Sequence, residues 1–325
     1  MLEPGRPDHD AMDAPSSGAT DEPADLVSAP SAPSEPSEPS ARLLAWVTHV
    51  TGGPVAVVRA FAGGTHAATS LLRTPSGPLV LRAFPPGDDA AATEEDVLTS
   101  LDGLAGWVPG LVAADRDGSR AGRPATLITL VPGRADIRPD DPQRAAVQLG
   151  RALARVHATD LAPLTRLRNG LADSYPPSLR RGPAAPLVTE FAGTLAAEPR
   201  VLTHRDFWSG NVLWADDGTL TGVVDWAGGC LAPRGFDVSW CRLDLHLLHG
   251  PSAADAFLDA YERASGVRVT NVAAWDLFAV RNSHLWVETW TDNYVPLGRP
   301  DLTPAALRAL HTEWTTRCLD AFYRS

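Results

Sequence analysis

One stretch constrains this chain more than any other: His204-Arg205-Asp206-Phe207-Trp208-Ser209-Gly210-Asn211, followed by Val223-Val224-Asp225-Trp226. Asn211 to Trp214 and Thr219 to Val224 are short apolar runs separated by Ala215-Asp216-Asp217-Gly218. Asp-Gly between such runs predicts a hairpin. The fold must then bring Asp225 back beside Asn211, with Asp206 on the loop before them. Two oxygen ligands converge on one cation, which suffices for Mg2+ because that ion keeps water and phosphate in its remaining positions. A separate carboxylate is what a hydroxyl acceptor needs to lose its proton in phosphoryl transfer.

These residues resemble the aminoglycoside phosphotransferases and related small-molecule kinases, and the similarity runs from about residue 45 to the C-terminus. The resemblance implies an α+β, protein-kinase-like two-lobe fold. A small antiparallel-sheet N-lobe over residues 41–132 would bind the nucleotide, and a mainly helical C-lobe over 133–325 would carry the catalytic loop, metal site and acceptor site. It implies ATP and Mg2+ as cofactors, Asp206 as catalytic base, His204 as the brace of its loop, and Asn211 and Asp225 as metal ligands.

Upstream, Ala41 to Val50 reads as a short amphipathic helix. Val55 to Phe61, Ala67 to Arg73 and Leu79 to Phe84 then read as strands of an antiparallel meander, with turns at Gly63-Gly64-Thr65-His66 and Ser76-Gly77-Pro78. By the resemblance the turn at Gly63, Gly64 and Thr65 lies over the phosphates, although Gly-Gly is also plain turn chemistry. The chain contains no lysine; all 28 of its basic residues other than His are Arg. By the resemblance Arg82 stands where the family has its phosphate-contacting Lys, with a permanently charged fork in place of a point charge.

Thr93 to Leu104 has Val97, Leu98, Leu101 and Leu104 at helical spacing, with Thr93 as a cap. Glu94 matches the acid that pairs with the strand cation, and Glu95 is the alternative register. Pro124 to Gly133 reads as a strand leaving the small lobe. Ile128, Leu130 and Val131 fall where the family's hinge receives adenine. Asp141-Pro142 caps a further helix that ends near His157, a residue expected to pack or cap rather than bind a ligand.

Leu171 to Pro199 is Pro-interrupted and then helical. Beyond Asp225, the Arg234 to Trp240 stretch resembles the family's motif after the metal loop, and its Asp237 is expected to receive backbone N–H groups and brace the catalytic loop. Phe257 to Ala264, Val272 to Trp290 and Thr303 to Tyr323 look helical, with Trp275, Trp286, Trp290 and Trp314 expected mostly in the core. Asp244, Glu288 and Asp292 either line a subsite for a cationic acceptor or form a solvated helix face.

The first forty residues are rich in Pro, Ser and Ala and hold nine acids against Arg6, so −8 of the net charge of −11 belongs to them. Such a segment has too little apolar surface to offset chain entropy and is expected to be disordered. It has no apolar stretch of the signal-peptide kind. The remaining −3 argues against a nucleic-acid surface. Cys230, Cys241 and Cys318 show no CxxC spacing, so neither a disulfide framework nor a zinc site is indicated. No apolar run is long enough to span a bilayer, and a cytoplasmic, reducing location is expected.

The expected partner is a small hydroxylated molecule, an aminoglycoside or related antibiotic, or the acceptor of a choline-, homoserine- or sugar-type kinase. A silent nucleotide-binding protein is the reading from another class, prompted by the missing Lys. Trp226 to Pro233 holds no Ser, Thr or Tyr, which argues against the phosphate-gated loop of a protein kinase. No HExxH supports a metallohydrolase.

Overall fold

The computed structural model describes residues 38–61, 66–101, 104, 106–175 and 177–324. Residues 1–37 of the acidic tail and the turn at Gly63, Gly64 and Thr65 lie outside the described residues.

Ser40 starts helix α1 (Ala41–Thr51) by accepting the Leu43 N–H on its hydroxyl, and Gly52 ends it in the left-handed conformation. The helix lies on a five-stranded antiparallel sheet of β1 (Ala56–Ala60), β2 (Ala68–Thr74), β3 (Gly77–Ala83), β4 (Leu111–Asp115) and β5 (Ala125–Thr129), in the order β1-β2-β3-β5-β4. Strand periodicity divides the sheet's two faces. Leu72, Leu79, Leu81 and Leu127 pack with Leu43, Trp46 and Val47 of α1. Val80 and Ile128 join the main core, which also takes Val97 and Leu98 of α2 (Ala90–Ser100).

Helix α2 begins four residues earlier than the Thr93 cap predicts. Asp88 Oδ1 accepts the Ala90 N–H at 2.7 Å, and the run Ala90-Ala91-Ala92 supplies strong helix formers that carry no apolar periodicity. Strand β4 had no signal in the sequence reading. It is an edge strand whose pairing with β5 is broken by a register shift between Leu111 and Ala113.

The larger part of the chain contains α3 (Pro142–His157), capped by Asp141; α4 (Ala185–Ala196); β6 (Arg200–Thr203), paired with β9 (Cys230–Pro233); and the hairpin β7 (Val212–Trp214) and β8 (Leu220–Val223). Helices α5 (Gly235–His249), α6 (Pro251–Ser265), α7 (Val272–Ser283), α8 (Thr291–Tyr294) and α9 (Pro304–Arg324) complete it. The helix expected over Val272 to Trp290 stops at Ser283, whose hydroxyl bonds back to the Ala279 and Val280 carbonyls. A short 3-10 turn over Val287–Trp290 then leads into α8. Trp275 and Trp314 are buried as expected, whereas Trp286 and Trp290 are only half-buried.

The link between sheet and helices is clamped to the hairpin. Thr221 Oγ1 donates to the Pro132 carbonyl at 2.6 Å, and Arg134 and Trp214 exchange both backbone bonds. Gly133 has a φ of 122°, and a Cβ there would meet Thr221 Oγ1 at 2.5 Å, so only glycine fits this approach. The strand that leaves the sheet is thereby fixed against the hairpin that carries Asn211 and Asp225 at its ends.

Candidate active site

The site starts from sheet register. Arg82 on β3 stands directly opposite Thr126 on β5, so both point to the same side. Glu94 of α2 meets the pair there: Arg82 Nη1 donates to Oε1, and Thr126 Oγ1 donates to Oε2 at 2.6 Å. All three residues are buried. Glu95, the alternative register, turns outward to Arg116. The second arm of the Arg82 fork, Nη2, reaches Asp225 Oδ1 at 2.5 Å. A single guanidinium thus joins the sheet, α2 and the hairpin end, a geometry open to a fork and not to a point charge.

Asp225 adopts the left-handed conformation (φ 67°), as does Arg205 (φ 72°), immediately before Asp206. Non-glycine residues held there are strained by about 1–3 kcal/mol each, and such strain persists only where the surroundings over-determine it. At Arg205, Asp237 does so: its carboxylate accepts the backbone N–H of His204 at 2.7 Å and of Arg205 at 2.8 Å. This is the bracing expected of Asp237. His157 Nε2 donates to the same carboxylate at 3.3 Å, while its Nδ1 accepts from Tyr261, which Arg234 also contacts. Burial holds the His157 imidazole below its ordinary pKa, which keeps it neutral for this paired role.

His204 links the two loops. Its Nε2–H donates to the Val224 carbonyl at 2.9 Å, and its ring packs 4.6 Å from that of Trp226. Fully buried, it supports the loop and takes no part in the lining of the cleft that Asp206 borders. The turn after Asp225 is pressed against α2, where a Cβ on Gly229 would meet Val97 Cγ2 at 2.6 Å. That close approach brings the helix bearing Glu94 next to the hairpin end bearing Asp225.

The Asn211 amide donates to both the backbone carbonyl and Oδ2 of Asp206, each at 2.9 Å. Its own Oδ1 is left as an acceptor. Withdrawal from water, followed by the Asp225 charge, holds the Asp206 carboxyl above the ordinary aspartate range. Burial also pushes Asp225 upward, but the Arg82 charge and hydrogen bond prevail and hold it below that range. The two carboxylates are therefore set apart, Asp206 above the ordinary aspartate range and Asp225 below it.

Asn211 Oδ1 and the Asp225 carboxylate suit Mg2+, which binds through a few protein oxygens and completes its shell with phosphate and water. Among the described residues no group of three or more His, Cys, Asp or Glu side chains is placed to hold a metal ion. Ile128 is buried within the sheet, while Leu130 is exposed and Val131 buried at the start of the link.

On its other side Asp206 lines a cleft with Trp208, Trp240, Asp244, Trp290, Asn293 and Tyr294. Of the three acids expected near an acceptor, Asp244 alone belongs to it. Asp244 is buried, and accepts the Ser209 N–H at 3.3 Å, the Ser209 hydroxyl at 3.1 Å and the Tyr294 hydroxyl at 2.8 Å. Glu288 is instead held by two 2.6 Å bonds from Arg308, and the exposed Asp292 lies outside the lining. The three indoles were missed because they come from the catalytic loop, α5 and the 3-10 turn, with no shared spacing.

The model of the phosphotransferase enzyme family matches residues 57–277. A homoserine kinase of Xanthobacter autotrophicus is 32% identical over 136 residues, covering 37% of this chain and 41% of that protein. A homoserine kinase of Burkholderia multivorans is 26% identical over 302 residues, covering 81% and 88%. The matches span only 41%, 42% and 55% of the lengths of the first three relatives. The solved structure of a spectinomycin phosphotransferase with ADP and spectinomycin has a TM-score of 0.56 at 12% identity, covering 83% of this chain and 93% of that one. That likeness shows the α+β, protein-kinase-like fold. Among the described residues, no helix is long and apolar enough to cross a membrane.

Proposed function

The chain belongs to the phosphotransferase enzyme family, and from that premise we propose that it transfers the γ-phosphoryl group of Mg-ATP to a hydroxyl of a small molecule. The observation that carries this reading is the position of Asp206, hydrogen-bonded to Asn211 on one side and lining an open cleft on the other. An alcohol in that cleft gives its proton to the Asp206 carboxylate. Its oxygen attacks the γ-phosphorus, and the bond to the β-phosphate oxygen breaks, releasing ADP. Asn211 Oδ1 and Asp225 hold the metal, which when bound neutralises charge on the phosphate oxygens. Arg82, fixed by Glu94, contacts the phosphates, and the backbone from Ile128 to Val131 receives the adenine.

The retained Asp206, Asn211 and Asp225 set favours an enzyme over a silent binding protein. For the acceptor, the names of the sequence relatives point to homoserine, whereas the spectinomycin phosphotransferase points to an antibiotic alcohol. The test is Asp206→Ala assayed with Mg-ATP against a panel of alcohols. Thermal stabilisation by Mg-ATP should persist while turnover drops about 10^2- to 10^4-fold, the usual worth of a positioned base. Unchanged kcat on a verified acceptor would sink the assignment.

A further inference from the structure

Arg82 holds two acids at once. Nη1 donates to Glu94 and Nη2 donates to Asp225 Oδ1 at 2.5 Å, while the buried ring of Phe84 lies 5.2 Å from the guanidinium carbon. The two acids are unequal. The Glu94 side chain is 1% exposed, whereas that of Asp225 is 42% exposed and shares its charge with water. A buried carboxylate holds a cation more strongly than a solvated one, and its strongest arrangement with a guanidinium uses two parallel bonds. Both forms of that arrangement, across the end of the fork or along its side, require Nη2, because Cδ blocks the side next to Nη1. Left to itself, Glu94 would therefore take both arms and leave Asp225 none.

Thr126 stands in the way of that capture. Its hydroxyl donates to Glu94 Oε2 at 2.6 Å, which leaves Oε1 for the guanidinium. The sheet dictates its place, since Thr126 on β5 is opposite Arg82 in the register with β3. It is fully buried. Burying a hydroxyl costs free energy unless an acceptor meets it, and Glu94 is the acceptor that Thr126 meets. The need for such a partner comes with the replacement of lysine, because an ammonium has no second arm to divide.

We propose that Thr126 is a positioning residue for phosphoryl transfer: by holding Glu94 Oε2 it divides the Arg82 fork between Glu94 and Asp225, and so keeps Nη2 on the metal and phosphate side of the site. This role rests on the phosphotransferase reading above, in which Asp225 holds the metal and Arg82 meets the phosphates. Without the hydroxyl, Oε2 takes Nη2. Asp225 is then relieved of its guanidinium, while the phosphates lose the arm that faces them. A bare divalent ion should bind more tightly and a nucleotide more weakly.

Those opposite signs provide a test that a merely loosened fold does not mimic. Mn2+ alone is titrated by the electron paramagnetic resonance of the free ion, and Mg-ADP by calorimetry, against the wild type, Thr126→Val and Thr126→Ser. Valine keeps the shape and removes the donor. Thr126→Val should bind Mn2+ roughly three-fold or more tightly and Mg-ADP roughly ten-fold or more weakly. Thr126→Ser, which keeps the hydroxyl, should return both to within roughly two-fold of the wild type. Thr126→Cys, whose thiol is a weak donor, serves if the Val variant fails to fold and should move both affinities in the same directions. In whichever variant folds, two unchanged affinities, or two that both fall, overturn the proposal, as does a Ser variant that behaves like Val. A wild type that binds no Mg-ADP overturns the phosphotransferase reading itself, and this role of Thr126 with it.

Discussion

On one side of Asp206 the protein presents Arg82, Glu94, Asn211 and Asp225; on the other it presents three half-buried indoles, a phenol and a single additional carboxylate. The first side is a lattice of charges in which each group has a named partner at hydrogen-bond distance. The second is a shaped aromatic space with one sign of charge. The difference follows from what each must hold. A metal-bound triphosphate presents the same oxygens whatever the acceptor, so its binding groups have fixed positions along the chain. An acceptor is recognised by shape and charge, which many unrelated residue sets can supply.

The largest effect expected within this comparison comes from the charged side. Arg82→Met leaves Glu94 buried beside Thr126 with no cation, and breaking a buried pair in this way costs about 3–5 kcal/mol. Replacing both residues, as Arg82→Met with Glu94→Leu, should recover most of that loss, because the unpaired buried charge is gone. Denaturant unfolding measures both. The same variants should lose Mg-ATP binding while the cleft still binds its acceptor. If acceptor binding falls in step with nucleotide binding although the fold is intact, the two sides are not separable and the contrast drawn above fails.

The same asymmetry governs what could be read from the sequence. The closeness of Asn211 and Asp225 was legible because a hairpin with an Asp-Gly turn brings its ends together, whereas Asp206 was marked by the resemblance. Arg82 was marked by the resemblance, and its pairing with both Glu94 and Asp225 came only with the fold. Asp237 was legible through its motif, though the His157 that joins it to Tyr261 was not, since those bonds connect residues 80 and 104 positions apart. The half-buried tryptophans defeated the reading because composition places Trp in the core, and only the stop of α7 at Ser283 and the turn that follows carry Trp290 to the cleft. For Glu288 the sequence left a subsite and a solvated face open, and the surface pair it forms agrees with the second, through an Arg that lies 20 residues away on α9.

A second, intermediate effect probes the aromatic side through pH. Burial, opposed by the Tyr294 and Ser209 bonds, pushes the Asp244 carboxyl up to about 6 from an ordinary 3.8. Its folded form holds the proton more tightly than its unfolded form. Stability from this group is therefore greatest at low pH and is lost as pH rises through about 6. The stability of the wild type relative to Asp244→Asn should shift by about 2 kcal/mol toward the wild type between pH 7 and pH 4. Taking the difference removes the opposite trends of groups such as His157, whose pKa burial lowers. Guanidinium unfolding at the two pH values reads it. A difference that stays flat would mean that Asp244 is solvated, and that the cleft is wetter than its lining implies.

The smallest expected effect sharpens the boundary of that cleft. Glu288 and Asp244 are both acids of the helical region, and the sequence offered them as equals. Glu288 is about one-third exposed and holds Arg308 by two bonds on the surface, a pair of the kind worth about 0–1 kcal/mol. Glu288→Gln should change stability by no more than that and leave the acceptor KM within about two-fold, since it removes no group from the lining. Asp244→Asn, by contrast, should raise the KM for the acceptor while sparing that for ATP, because it changes a residue of the cleft lining and the bonds that hold Ser209 and Tyr294 there. Steady-state kinetics with both substrates varied separates these outcomes. A KM that responded to Glu288 as strongly as to Asp244 would mean that the acceptor extends past Trp290 to the Arg308 pair.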